Sequence, residues 1–356
     1  MTVETREAAA AREDAKALFL RQSGWAGARL TPLAGDASNR RYQRIAAGPG
    51  GAHAVLMDAP AARGEDIFRF LAFTSWLLDH GLSAPKVIAA DVASGFALIE
   101  DLGDELYARM AREAPDCEGM IYGRAVDLLA HLAVIDAPKT VRWGKEAVAV
   151  DPYDNAALCR EALLAMEWWF EGTTGAPPAA DLMAEFADLV SAAAMPVAQC
   201  REVLVLRDYH AENLLWLPAR KGLAQVGLLD YQDALTGSAA YDLVSLLEDA
   251  RRDTSSALRD AMFDRYCAAA KIVDRDRLAR DYAVLGAQRS LKIMGIFARL
   301  WLRDGKLGYL EMTPRVWEHL QRDLSHPSLV ALRSFVERHL LPPTAAAIER
   351  LTGARQ

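Results

Sequence analysis

A two-lobed α+β fold is predicted, with a β-rich N-terminal lobe over 1–103 and a mostly helical C-terminal lobe over 104–356. Three observations point there. At 356 residues the chain is too long for one ordinary core. Between 40 and 100, short β-favouring runs alternate with turns and a single helical stretch. Beyond Asp101-Leu102-Gly103, apolar residues recur with the period of amphipathic helices.

The elements follow in order. Residues 1–20 mix charged side chains with alanines and read as a surface helix. A turn at 35–40 lies between strands. Strands are expected over 41–45, 52–57, 86–90 and 96–100, and a helix over 65–80. The glycine-rich stretch 47–51 separates two of these strands, giving a small sheet with one helix inserted after its third strand. In the second lobe helices are expected over 120–135, 155–170 and 181–194, with a loop over 173–178. Short apolar strands at 203–206, 214–217 and 226–229 then flank polar loops, and helices resume from Ala240.

Composition narrows the function. Apolar residues make up 52% of the chain, charged residues 25%, and the formal charge is −7. That is the balance of a packed globular enzyme, and no run of five Lys/Arg offers a field for nucleic acid or an anionic membrane. Cys117, Cys159, Cys200 and Cys267 stand far apart without a C-x-x-C pair, so neither a zinc site nor a disulfide framework is expected. The N-terminus lacks an apolar signal core, and stretches such as 70–78 are too short to cross a bilayer. A cytoplasmic protein with no obligate protein partner is expected.

The strongest local signal is Arg207-Asp208-Tyr209-His210-Ala211-Glu212-Asn213, with Asp230 seventeen residues beyond the Asn. Phosphoryl transfer asks little covalent chemistry of a protein. It needs a carboxylate beside the acceptor hydroxyl and hard oxygen ligands for the magnesium that neutralises a triphosphate. Asp208 suits the first task, and Asn213 with Asp230 suits the second. Asp and Asn also build ordinary loops, but here strands deliver and remove the segment on both sides. The segment resembles the catalytic and metal loops of the aminoglycoside phosphotransferase and choline kinase branch of the protein-kinase-like superfamily, with Leu206-Arg207 where many protein kinases carry His-Arg.

A narrower resemblance spans nearly the whole chain. Residues 35–42, 55–60, 100–103, 207–210, 229–234 and 295–300 occur in the order of their counterparts and are similar to the family of kinases that phosphorylate the anomeric hydroxyl of N-acetylmuramate and N-acetylglucosamine. The resemblance implies ATP and Mg²⁺ as cofactors, a small amino sugar as substrate and a role in cell-wall sugar recycling.

Other residues take expected roles around this centre. Gly35, Ser38, Asn39 and Arg40 belong to a turn that can cover phosphates with backbone N–H groups. Kinases carry a phosphate-pairing lysine on a strand corresponding to 55–58, but Met57 fills that slot, so Arg40 or Arg41 is left to supply the charge. Glu65 opens the next helix, where a kinase fold carries the glutamate that pairs with that lysine; without a lysine it reads instead as a solvated helix N-terminus. Glu100 and Leu102 lie in the connector where adenine meets backbone groups. His210, Glu212 and Asp233 can bond sugar hydroxyls, His210 equally well serving as packing beneath the loop. Arg289, Lys292 and Arg299 share a helix; they form either a carboxylate-binding face or a solvated or salt-bridged surface. Asp242 resembles the buried Asp that braces the catalytic loop. The eight tryptophans read as core. An aminoglycoside- or choline-like acceptor, or a nucleotide-binding pseudokinase, would use much of the same sequence.

Overall fold

The computed structural model describes residues 3–33, 40–61 and 64–353. The residues group into two compact units, each assembled from separate stretches. The first contains Met1–Leu106, Thr140–Ala149 and Leu214–Asp233, and the second Tyr107–Lys139, Val150–Asn213 and Ala234–Gln356. Two stretches beyond the connector thus pack with the first unit.

The first unit is built on a five-stranded antiparallel sheet of β1 (Arg29–Pro32), β2 (Arg41–Ala46), β3 (Ala54–Asp58), β4 (Val87–Asp91) and β5 (Phe96–Ile99), in the order β1-β2-β3-β5-β4. Alternation along the strands decides its two faces. Ile45, Ala54, Leu56, Phe96 and Leu98 join Phe19, Leu20 and Trp25 in one buried cluster. The N-terminal helix Val3–Gln22 is therefore not a surface helix throughout, because its last turn seals this core. Arg12 stacks on Phe96, with the guanidinium 3.8 Å from the ring centroid, and bonds Asp58. On the opposite face Tyr42 pairs across the strands with Met57, and Met57 with Ala97.

The helix Ile67–Asp79 follows β3, and the Asp66 carboxylate caps it by accepting from the Phe68 and Arg69 N–H groups. It packs on a hairpin, Thr140–Trp143 with Glu146–Ala149, that the sequence pattern did not reveal. A second hairpin pairs Leu214–Trp216 with Val226–Leu228, and the Leu228 N–H donates to the Ser83 carbonyl at 2.9 Å.

The second unit is helical. Its longest helix, Arg275–Leu302, buries Leu285, Leu291, Met294, Phe297 and Ala298. It lies against Asn155–Leu164 and the π-type turns over Ala165–Phe170, and Gly295 lets the backbones touch. A Cβ at that position would stand 2.2 Å from the Leu164 carbonyl carbon. Trp169 is fully buried, its indole N–H donating to the Leu341 carbonyl at 2.8 Å, as expected of a core tryptophan. The strand Val203–Val205 pairs with Leu235–Gly237. Among the described residues no helix is long and apolar enough to cross a membrane.

Candidate active site

In the second unit, the strand Val203–Val205 delivers the candidate loop 206–213 into an unusual backbone conformation. Arg207 has φ 71°, a left-handed geometry that costs a residue with a Cβ about 1–2 kcal/mol. Asp242, buried on the first turn of the helix Ala240–Leu247, holds that turn by accepting from the Leu206 N–H at 2.6 Å and the Arg207 N–H at 2.9 Å. This is the bracing geometry expected of it. Burial pushes its pKa up to about 7, against the pull of those two donors. Tyr209 anchors the loop from beneath, its hydroxyl donating to the Ala125 carbonyl at 2.9 Å.

The loop also orients Asn213. Its Nδ2 donates to the Asp208 carbonyl at 3.0 Å and approaches His210 Nε2 at 3.4 Å. With its nitrogen bonded to the loop, the amide is left with Oδ1 as the oxygen it could offer a hard cation. His210 lies buried beneath the loop, and burial lowers its pKa to about 4, so the ring is neutral near pH 7. Arg251 Nη1 also approaches the same Nε2, at 3.3 Å. Nothing in the sequence spacing marks Arg251, since the contact depends on how its turn packs on the loop. Glu212 is exposed and Asp208 half-buried.

In the first unit, Asp230 ends the strand Val226–Leu228 region with φ 56°, a second left-handed residue. Its neighbours lock it. Tyr231 is buried, stacks on Phe70 with ring centroids 5.5 Å apart and bonds Thr74 at 2.6 Å. Gln232 Nε2 donates to Asp230 Oδ1 at 2.8 Å, while Arg69 Nε donates to the Gln232 carbonyl at 3.2 Å. Asp233 is exposed and accepts a 3.3 Å bond from Gln232.

The expected nucleotide-side residues fall unevenly. Gly35, Ser38 and Asn39 lie outside the described residues. Met57 is fully buried in β3. Glu65 is not a solvated helix end: its carboxylate accepts from Arg40 Nε at 2.7 Å, with the two side chains only 12% and 8% exposed. Arg41 lies on the other strand face and is exposed. At the connector the Glu100 N–H donates to the Lys86 carbonyl, its carboxylate pairs with Arg220 at 2.6 Å, and Leu102 is half-buried.

The cations on Arg275–Leu302 do not form an open face. Lys292 Nζ meets Glu161 at 3.3 Å and Tyr241 at 3.0 Å, and Glu161 also pairs with Arg207. Despite burial, which opposes it, those neighbours raise the Lys292 pKa. Arg289 is buried with Nη1 3.4 Å from the Glu248 carbonyl, and the Arg299 Nε is buried without a partner. The salt-bridged alternative is the one observed for Lys292.

The chain is a phosphotransferase of protein-kinase-like fold with an alcohol-group acceptor, as its relatives and its fold show. Residues 29–280 match the phosphotransferase enzyme family, and the chain belongs to it. A Caulobacter vibrioides protein named N-acetylmuramate/N-acetylglucosamine kinase is 38% identical over 361 residues, covering 92% of this chain and 97% of that protein. The fold is shared with an ADP-bound aminoglycoside phosphotransferase (TM-score 0.53, 14% identity, 82% of this chain and 92% of the other). It is shared also with a choline kinase from Cryptosporidium parvum (TM-score 0.51, 11% identity, 93% and 98%).

Proposed function

We propose that the chain is a cytoplasmic anomeric sugar kinase that moves the γ-phosphate of ATP to the 1-hydroxyl of N-acetylmuramate and N-acetylglucosamine, giving 1-phosphates for cell-wall sugar recycling. The observation that carries this reading is the 38% identity, over 92% of the chain, to a kinase named for those two sugars. The loop chemistry supports it.

Asp208 accepts the proton of the anomeric hydroxyl as that oxygen bonds to the γ-phosphorus and the bond to ADP breaks in line. Asn213 and Asp230 would hold Mg²⁺, and the Asn213 amide, bonded to the loop through its nitrogen, has an oxygen of the hard type that role needs. When bound, the ion would neutralise the triphosphate. Gly35, Ser38, Asn39 and Arg40 serve the phosphates, while Glu100 and Leu102 lie where the base would meet the backbone.

The test is phosphorus NMR of the products after incubation with ATP, Mg²⁺ and each sugar. A sugar 1-phosphate from the wild type, absent with Asp208→Asn while the variant keeps its fold, is the expected result. ATP untouched with both sugars would overturn the sugar assignment. Transfer to an aminoglycoside or choline would then identify a different acceptor, and nucleotide binding without transfer to any of them a regulatory module.

A further inference from the structure

We propose that Arg40, tethered by Glu65, is the cation that grips the nucleotide's phosphates in place of a lysine on β3. The inference rests on the ATP-dependent reading above but not on which sugar accepts the phosphate.

Strand geometry identifies the residue. Successive side chains of a strand point to opposite faces, and directly paired residues share one. Tyr42 pairs with Met57, so both lie on the sheet face opposite the Phe19 cluster. Arg40 lies just before β2, and its guanidinium bonds the Tyr42 hydroxyl, which brings it to that same face. Arg41 falls on the other face and is exposed.

Three further observations converge on Arg40. Met57 is fully buried and brings no charge to the slot. The Arg40 Nε donates to Glu65 at 2.7 Å, and Glu65 immediately precedes the Asp66 cap of the helix Ile67–Asp79. Kinases aim their phosphate-binding cation with an ion pair to a helix glutamate, and here the pair is made from the residue just before β2. Arg40 also bonds the Tyr42 hydroxyl, on which the charge of Asp230 acts as well, so the guanidinium and the proposed metal aspartate share one neighbour. A guanidinium offers five N–H donors in a planar fork. The Nε bond to Glu65 fixes its direction, and with the Tyr42 bond it uses two of the five donors, so a guanidinium here has more donors than these two partners take, and phosphate oxygens bind such a group well.

Burial alone would also suit a purely structural pair, so the test must separate phosphate binding from folding. Calorimetry of ADP and adenosine binding, compared across the wild type, Arg40→Gln, Arg40→Lys and Glu65→Gln, does so. Arg40→Gln is expected to weaken ADP about tenfold or more while leaving adenosine unchanged. Arg40→Lys, which keeps the charge but cannot span Glu65 and a phosphate together, should lie between. Glu65→Gln should shift ADP in the same direction by a smaller factor. An unchanged ADP-to-adenosine affinity ratio in Arg40→Gln would overturn the assignment, and if that variant does not fold, the same ratio in Arg40→Lys decides. A wild type that binds neither ligand would instead overturn the ATP reading itself.

Discussion

Removing the Asp242 carboxylate is the most informative single change, because its two bonds set the conformation of the residue before the proposed base. In Asp242→Ala the Leu206 and Arg207 N–H groups, now bonded at 2.6 and 2.9 Å, lose their acceptor. Each buried donor left unpaired costs about 1–3 kcal/mol, so the loss of stability should be about 2–6 kcal/mol. Arg207 would then have no reason to remain at φ 71°, and its relaxation would displace Asp208, the next residue. A shift of about 1 Å at a reacting group can cost about 100-fold in rate. Asp242→Asn retains one acceptor oxygen and should lose about half as much stability.

The pH dependence carries a definite sign. With the folded pKa raised by burial to about 7 from the ordinary 3.8, the folded state holds an extra proton between those limits. Stability contributed by this group therefore declines as pH rises from about 4 to 7, by about 4 kcal/mol at most, and Asp242→Asn should abolish that slope. Urea unfolding from pH 4 to 8 and steady-state ADP release measure the two effects. Asp242→Ala with wild-type kcat would refute the positioning argument, and wild-type stability as well would refute the bracing bonds.

His210 titrates in the opposite sense. Its folded pKa, lowered to about 4 by burial from 6.5, means its contribution is complete above about pH 6.5 and lost as pH falls toward 4, by about 3 kcal/mol. His210→Gln should remove that acid sensitivity, as thermal unfolding at pH 5 and 7 would show; an unchanged difference between the two pH values would contradict the buried neutral ring. Gly295→Ala would push a methyl group against the Leu164 backbone, where 2.2 Å is available. Because backbone cannot move aside as a side-chain end can, a loss of about 3 kcal/mol or more is expected in urea unfolding. A loss below 1 kcal/mol would show that the two helices separate cheaply.

The residues of the candidate site stand out in the sequence because their signals are local. The spacing of Asp208, Asn213 and Asp230, the apolar runs that become Val203–Val205, Leu214–Trp216 and Val226–Leu228, and the Asp242 brace all sit within about forty residues of each other. Strand alternation and helical period likewise announced the sheet and most helices, since each reports which face of a single element is buried. The hairpin at Thr140–Ala149 escaped because three of its eight strand residues at most are shielded, leaving little alternation to read.

What the residues could not disclose by themselves was partnership at long range. Glu65 reads as solvated in the sequence alone, and the fold sets Arg40 against it; the choice between Arg40 and Arg41 turns on Arg40 meeting Glu65 and Tyr42 while Arg41 is exposed. Lys292 looked like a candidate for a carboxylate ligand until Glu161, more than a hundred residues earlier, lay beside it. The chemistry of a motif is written in residue type and spacing, so the chain alone determined the kinase-like class and its loop. Whether a charge is spent on a neighbour or kept for a substrate depends on distances of a few ångströms between remote segments, and those only the tertiary structure decided.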